Sequence, residues 1–560
     1  MLIFLFIIIA AADANPDDNS RIVHTAQGAV KGYRDHKGYF YGYYGIPYAT
    51  APTGPHKFKS PLPPPSWEDT FDAIDKKILC PQSEIYLQML KTDLNYTIQE
   101  DCLIANVYVP DTEDDNLPVV FYVHGGAFQL GFGSAILHRS LLRTRKIIIV
   151  NFNYRLGAHG FLCLGTEDIP GNAGLKDQVA ALRWVKNNIA SFGGNPDDIT
   201  IMGSSAGAAS VELLMLSKAT RGLFNKVIPE SGAGVGVWAV QNDPLEIAKS
   251  YARTQGFFEV DDIHALEDFF KYISLDVLQA DLSMNRREST FNFVPCVERD
   301  ANEDAVLTEA PVDILRKGDY EKTPMLVGFT DMEGIFRINF FEDWKDEMNE
   351  DFSNFLPADL QFADESERQE MAQRIKEFYF GEKPVSSETA VAYVNYFSDV
   401  LFFYPTYRSI SMQDAAGNRE IYLYVYAFVE DRSFAPYPGV TGADHSAQTM
   451  ALGYIPLRSQ RRRTKMSEDY KKIKRLLTDV WANFITTSKP TPEGSLAAET
   501  LGEWPPTSPE LLQHALLNTT SELRVGLWPD RMALWDDIYS KHYRTPVPPP
   551  EQLARIKSEL

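Results

Sequence analysis

Residues Ile199-Thr200-Ile201-Met202 form a short apolar run that breaks into Gly203-Ser204-Ser205-Ala206-Gly207. This is a G-x-S-x-G pentapeptide at the end of a predicted strand, with small residues on every side of the central serine. A strand that turns sharply into a helix holds its middle residue at a strained backbone angle. The chains on either side then pass so close that a Cβ at Gly203 or Gly207 would clash. The turn lifts the Ser205 hydroxyl above the sheet edge, at the start of a helix whose backbone N–H groups favour negative charge.

The surrounding pattern agrees with such a turn. Apolar, β-branched runs recur at Val119–Val123, Ile147–Asn151, Ile199–Met202, Val227–Ile228, Met325–Phe329 and Ile421–Phe428. Between several of them lie stretches of helical period. The clearest is Ala173–Ala190, with Leu175, Val179, Leu182, Val185 and Ile189 on one stripe. Near-continuous apolar strands alternating with helices predict an α/β fold, a large mostly parallel sheet flanked by helices on both faces. Chemistry then collects beyond the carboxyl ends of the strands. Aromatic-rich, helical stretches at 250–320 and 340–400 are expected to be cap insertions over those loops. The 560 residues contain no linker, low-complexity tract or fixed-period repeat. Residues 15–560 are therefore read as one domain, with a C-terminal tail from about 545 to 560.

Three further constellations give the serine its partners. His124-Gly125-Gly126-Ala127-Phe128 directly follows the strand Val119–Val123. Small residues there let backbone N–H groups approach a reacting carbonyl, so Gly126, Ala127 and Ala206 are the predicted oxyanion-hole donors. After Met325–Phe329 comes Thr330-Asp331-Met332-Glu333-Gly334, where either Asp331 or Glu333 could orient a histidine and the other would cap the turn. In an α/β-hydrolase the chain order is nucleophile, acid, base. Only His445, His514 and His542 follow residue 333. His445 hangs in a Gly/Asp-rich loop after the long apolar strand, His514 sits in an apolar, helix-like context, and His542 lies near a proline-rich tail. His445 is the predicted base. Phe128, Phe132, Phe336, Phe402 and Phe403 are candidates for an apolar gorge lining.

Composition excludes some partners. The net charge is −22, a surface that repels nucleic acid and anionic membranes. Nine basic residues between Arg458 and Arg475 stand against that trend and are read as a solvated loop running into a helix face. Met1–Ala14 reads as a signal peptide, with Leu2–Ile9 wholly apolar and Ala12-Asp13-Ala14 a small-x-small cleavage pattern. No later stretch reaches bilayer-spanning length. Entry to an oxidising route makes a disulfide between Cys80 and Cys102 expected, because the pair closes a short polar loop. Cys163 and Cys296 are read as buried free thiols. Asn95 and Asn518 head glycosylation sequons, and the terminal Lys557-Ser558-Glu559-Leu560 resembles an ER-retention signal. The destination is thus secretion or the ER lumen. Nothing in the spacing of His or Cys calls for a metal or other cofactor.

The chain resembles the type-B carboxylesterase and cholinesterase family. Phe192-Gly193-Gly194-Asn195-Pro196 leading into Gly203–Gly207 fits its serine signature, and Glu100-Asp101-Cys102-Leu103 with Asn106-Val107-Tyr108-Val109-Pro110 resembles its second. Gly45–Ala49, Asn153–Gly157 and Gly174–Gln178 look like further family blocks. The resemblance implies an α/β-hydrolase fold, Ser205 as nucleophile, Glu333 as acid and His445 as base. It also implies a Cys80–Cys102 disulfide, with no counterpart of the family's second. Ser446-Ala447-Gln448 departs from the small residue and acid pair common after the base, and Ala127 stands where many relatives have a third Gly. Cholinesterases hold a cation with a Trp in the first disulfide loop and a Glu before the serine. Residues 81–101 contain no Trp and Ser204 precedes Ser205, so a choline ester is not expected. The resemblance is strongest to insect carboxylesterases, implying hydrolysis of small apolar, aliphatic or odorant-like esters. The alternatives are a juvenile hormone esterase, whose relatives usually carry Gln before the serine, and a non-catalytic neuroligin-like binding protein.

Overall fold

The computed structural model describes residues 19–83, 96–279, 285–299, 304–430, 436–453 and 466–551. Twelve strands run through one sheet: β1 (Ser20–Thr25), β2 (Gly28–Arg34), β3 (Phe40–Pro47), β4 (Ile104–Pro110), β5 (Leu117–Val123), β6 (Ile148–Phe152), β7 (Gly194–Ser204), β8 (Lys226–Glu230), β9 (Met325–Thr330), β10 (Ile421–Tyr426), β11 (His514–Leu517) and β12 (Glu522–Arg524). Their spatial order is β1-β2-β3-β4-β6-β5-β7-β8-β9-β10-β11-β12, and the short strand Phe71–Asp72 pairs with β2 at the side. From β6 to β11 every pairing is parallel, while β1 to β4 and β12 are antiparallel margins.

The central strands read as unbroken apolar runs because both faces are covered. All residues of β6, β9 and β10 are buried, as sheets sandwiched between helices require. On one face lie α1 (Ala173–Asn188) and α2 (Ala206–Leu216). Leu175, Val179, Leu182 and Val185 of α1 are buried as its stripe predicts, and Ile189 falls in the 3-10 turn that ends it. On the other face, α4 (Glu468–Thr487) buries Ile473, Leu476, Leu477, Val480, Trp481 and Ile485, with α3 (Ala447–Leu452) beside it. Two of the sequence blocks meet as a buried ion pair: Arg155 Nε and Nη2 donate to both carboxylate oxygens of Asp177, at 2.8 and 2.6 Å. The expected cap regions are helical, with Pro244–Thr254, Ile263–Tyr272, Phe341–Glu350, Glu365–Phe380 and Ala390–Ser398.

The cysteines correct one expectation. Cys80 and Cys102 are bonded, but so are Cys163 and Cys296, with Cα atoms 6.7 Å apart. Their apolar contexts hid the pairing because the partners lie 133 residues apart. Asn172 brings the segments together, donating to Cys296 O and accepting from Cys296 N at 2.8 and 2.9 Å. Closing so long a loop restricts the unfolded chain by about 5 kcal/mol in the loop-entropy model. His514 is likewise in strand β11, not a helix; it is buried, with Nδ1 bonded to Leu512 O. Asn95 and residues 557–560 lie outside the described residues, as do residues 1–18, which include the expected signal peptide, and residues 458–465 of the Arg458–Arg475 basic stretch.

Candidate active site

Five parallel neighbours, β5, β7, β8, β9 and β10, deliver their carboxyl ends to one place. Ser205 occupies the single-residue turn between β7 and α2, at φ 59° and ψ −121°. For a residue with a Cβ this is a strained conformation. The neighbouring backbone enforces it: Ser205 N–H donates to Glu230 O at 2.8 Å. A Cβ on Gly203 would stand 2.2 Å from Gly207 O, and one on Gly207 would stand 2.1 Å from Val123 O. Both glycines are therefore obligatory, for the reason the pentapeptide implied.

Beyond β5, Gly125 lies so close that a Cβ would meet Ser204 O at 2.4 Å. Gly126, at φ 120°, has the Leu130 carbonyl against it, and Ala127 and Phe128 also have positive φ, at 54° and 61°. This left-handed run curls the backbone around the same cavity that Ser205 borders, with Gly126 and Ala127 in its wall. Ala206 is the first residue of α2. His124 stacks on Tyr154, its ring centroid 4.3 Å away. Burial pushes its imidazole down to about 4, so the ring is neutral and Nδ1–H donates to Gly125 O at 2.9 Å.

The two acids after β9 separate cleanly. Glu333 is fully buried and its Oε2 accepts from His445 Nδ1 at 2.5 Å, while Oε1 accepts from Thr330 N–H at 2.8 Å. Asp331 Oδ1 accepts from Ala443 N–H at 2.6 Å and so pins the start of the histidine loop. The choice that spacing left open is made by reach: Glu333 meets the imidazole, and Asp331 caps the loop. His445 is sandwiched by rings, with Phe402 at 4.5 Å and Phe336 at 5.3 Å. A π-helical turn at Asp399–Phe403 carries Phe402 there, as such turns often do beside functional groups. His542, by contrast, ends the helix Pro529–His542 and stacks on Phe362.

Ser205, His445 and the 125–127 segment all line one cavity of about 330 Å³. Phe132, Phe336 and Phe402 line it as the gorge reading expects. Phe128 packs instead on Phe161, and Phe403 on Phe329 and Trp528. Both rings are buried in the main core. Trp238, Phe291 and Met450 complete the wall. No local signal marked them, since they come from loops that only the fold assembles. Among the described residues that line the cavity, none is Asp, Glu, Lys or Arg.

A sequence profile of the carboxylesterase family matches residues 19–535. The chain belongs to the carboxylesterase family. It is 33% identical over 417 residues to a carboxylic ester hydrolase of Bombus ignitus, covering 72% of this chain and 74% of that one. It is 30% identical over 522 residues to esterase FE4 of Myzus persicae, covering 88% and 89%. Among solved structures, the juvenile hormone esterase of Manduca sexta with OTFP covalently attached superposes at a TM-score of 0.80 and 27% identity, covering 93% of this chain and all of that one. This carboxylesterase thus has the α/β-hydrolase architecture, and ester hydrolysis is its chemistry. Among its described residues no helix is long and apolar enough to cross a membrane.

Proposed function

We propose that this carboxylesterase is a serine hydrolase working through an acyl-enzyme on neutral, apolar esters. The observation that carries the reading is the Glu333–His445 hydrogen bond at the cavity that Ser205 borders. In the reaction, His445 Nε2 takes the proton from Ser205 Oγ as that oxygen attacks the ester carbonyl. Glu333 keeps the proton of the imidazole on Nδ1 and stabilises the imidazolium. The N–H groups of Gly126, Ala127 and Ala206 bind the oxyanion, each donor contributing on the order of 10²–10³ in rate. The imidazolium returns its proton to the departing alkoxide. A water then repeats the sequence on the acyl-enzyme and releases the acid.

The substrate reading rests on the wall of the cavity. Eleven of its described side chains, histidines apart, are apolar or aromatic and none bears a fixed charge, which suits an aliphatic acyl or alcohol chain and gives a choline head no counter-ion. That OTFP is covalently attached to the Manduca sexta protein supports a covalent mechanism on this fold. The likeness to that juvenile hormone esterase favours a second reading, in which the ester is a juvenile hormone. We also place the chain in the secretory route: two disulfides suit an oxidising compartment, residues 1–14 act as a leader, and Asn518, in the surface turn between β11 and β12, is glycosylated along with Asn95.

The test is labelling with a fluorophosphonate, followed by peptide mass spectrometry, alongside hydrolysis of esters graded in acyl and alcohol length. A stoichiometric adduct on Ser205 and loss of about 10⁴-fold or more of kcat in Ser205→Ala are expected. An unlabelled protein would point to a neuroligin-like binding role. A preference for juvenile hormone over short aliphatic esters would select the hormone-type reading.

A further inference from the structure

Beneath the cavity floor lies a carboxyl group that the reaction above does not use. Glu230 ends β8 and is fully buried. Its Oε1 accepts from Trp481 Nε1 of α4 at 2.9 Å, and its Oε2 accepts from Thr449 Oγ1 of α3 at 2.6 Å. Thr449 Oγ1 also lies 3.1 Å from Ser204 Oγ, which lies 3.0 Å from Ser446 Oγ. Ser204 precedes the nucleophile and Ser446 follows the base. A chain of three hydroxyls therefore links the two halves of the site to one acid.

Each hydroxyl has a single proton, so the direction of this chain is not free. An ionised Glu230 only accepts. Thr449 must then donate to it, and the Thr449-to-Ser204 bond of this geometry is reversed, with Ser204 donating to Thr449 and Ser446 to Ser204. A protonated Glu230 donates to Thr449 Oγ1 and the sequence can run the other way, towards Ser446. The polarity of the floor is set by one proton.

The surroundings leave that proton sensitive to solution. Tyr122 of β5 and Tyr424 of β10 face Glu230, and burial holds both phenols neutral. Gln448 of α3 is engaged with Ser231 Oγ and the Tyr424 hydroxyl. Behind Tyr122, burial pushes His138 down to about 3, so it is neutral. Lys474, the cation that acts on His138, donates an N–H to Ala451 O. Among the described residues Glu230 has no ion pair, and burial raises its carboxyl to about 7 against the pull of the Thr449 and Trp481 hydrogen bonds.

We propose that Glu230 is a positioning residue whose ionised carboxylate orders the Thr449–Ser204–Ser446 chain, clamping the nucleophile turn against the base loop and favouring the imidazolium at His445. This rests on the serine reading given above. Full activity then needs Glu230 ionised in addition to a neutral base. Glu230→Gln mimics the protonated acid: its carbonyl serves Trp481, and its amide donates to Thr449.

The experiment is the pH dependence of kcat/KM for p-nitrophenyl butyrate, from about pH 5 to 9, with the full chain and its Glu230→Gln, Thr449→Val and Thr449→Ser variants. The rate of fluorophosphonate labelling at Ser205 is followed in parallel. The wild type is expected to show two acid-side inflections in the logarithmic profile, one of them a step of about tenfold, and Glu230→Gln is expected to lack that step and to sit about tenfold below the wild type at the alkaline plateau. Thr449→Val removes a hydrogen bond to the ionised form, so its second step moves to higher pH, and Thr449→Ser moves it back. Variants that keep the wild-type profile, or lose activity equally at every pH, would overturn the proposal. Should Glu230→Gln not fold, the Thr449 pair decides alone. An undiminished Ser205→Ala enzyme would instead overturn the serine reading, so the two failures are separable.

Discussion

The nucleophile turn and the base loop meet across one cavity but are built by opposite means. At Gly203–Gly207 and Gly125–Gly126 the backbone segments touch, with would-be Cβ atoms only 2.0–2.4 Å from carbonyl oxygens. From Gly442 to Met450 the chain is held by side chains: Asp331 on Ala443 N–H, Glu333 on His445, Ser204 on Ser446, Ser231 on Gln448 and Glu230 on Thr449. The first half owes its shape to steric exclusion, which pH and polarity do not alter. The second owes it to hydrogen bonds whose strength depends on charge. A rigid nucleophile is thus paired with an adjustable base.

The sharpest way to break this contrast is Gly207→Ala. With Val123 O 2.1 Å from the new methyl, the variant is expected to lose about 4 kcal/mol or more of stability and all esterase activity. A soluble, active Gly207→Ala protein in thermal unfolding and rate assays would show that the turn is not sterically set. Glu333→Gln comes next. It keeps the size of the side chain but removes the charge that favours the imidazolium, so kcat should fall about 10³–10⁴-fold while the fold survives in circular dichroism.

A third expectation concerns stability against pH. The Glu230 carboxyl is raised by burial to about 7 when folded, above its unfolded value. The folded state therefore holds this proton longer, and the associated stability is complete below the unfolded value and lost as pH rises through about 7. Ionisation in the buried site costs about 3 kcal/mol, on the order of 1.4 kcal/mol for each unit. Glu230→Gln should accordingly raise Tm relative to wild type at about pH 8.5 and much less at about pH 5. Equal shifts at both pH values would remove Glu230 as the titrating group. The smallest effect is expected for Asp331→Ala, which strips one acceptor from the Ala443 N–H. It should cost about 1–2 kcal/mol and leave kcat within about tenfold, confirming that this acid caps the loop rather than orienting the base.

What could be read in advance follows the same division. The six apolar runs lie in β5, β6, β7, β8, β9 and β10, and the α1 stripe is buried, because covered parallel strands and amphipathic helices write their environment into local pattern. The glycine turn was legible because exclusion acts between residues a few positions apart. Asp331 and Glu333 were not distinguishable by spacing, since both sit in one turn and only their reach differs. The Cys163–Cys296 bond was missed for a related reason: neither cysteine's neighbourhood contains any trace of a partner 133 residues distant. Nor could any window reveal that Trp238, Phe291 and Met450 share a wall with Ser205.

By itself the amino-acid order determined the parallel sheet, the strained serine and the set of three histidines from which a base must come. These are consequences of short-range sterics and periodic burial. Tertiary structure alone decided which carboxyl meets His445, which rings close the cavity, and that Glu230, Thr449, Ser204 and Ser446 form one chain. Hydrogen bonds and buried charges act over a few ångströms of space between residues up to 301 positions apart, and only folding brings such distances within reach.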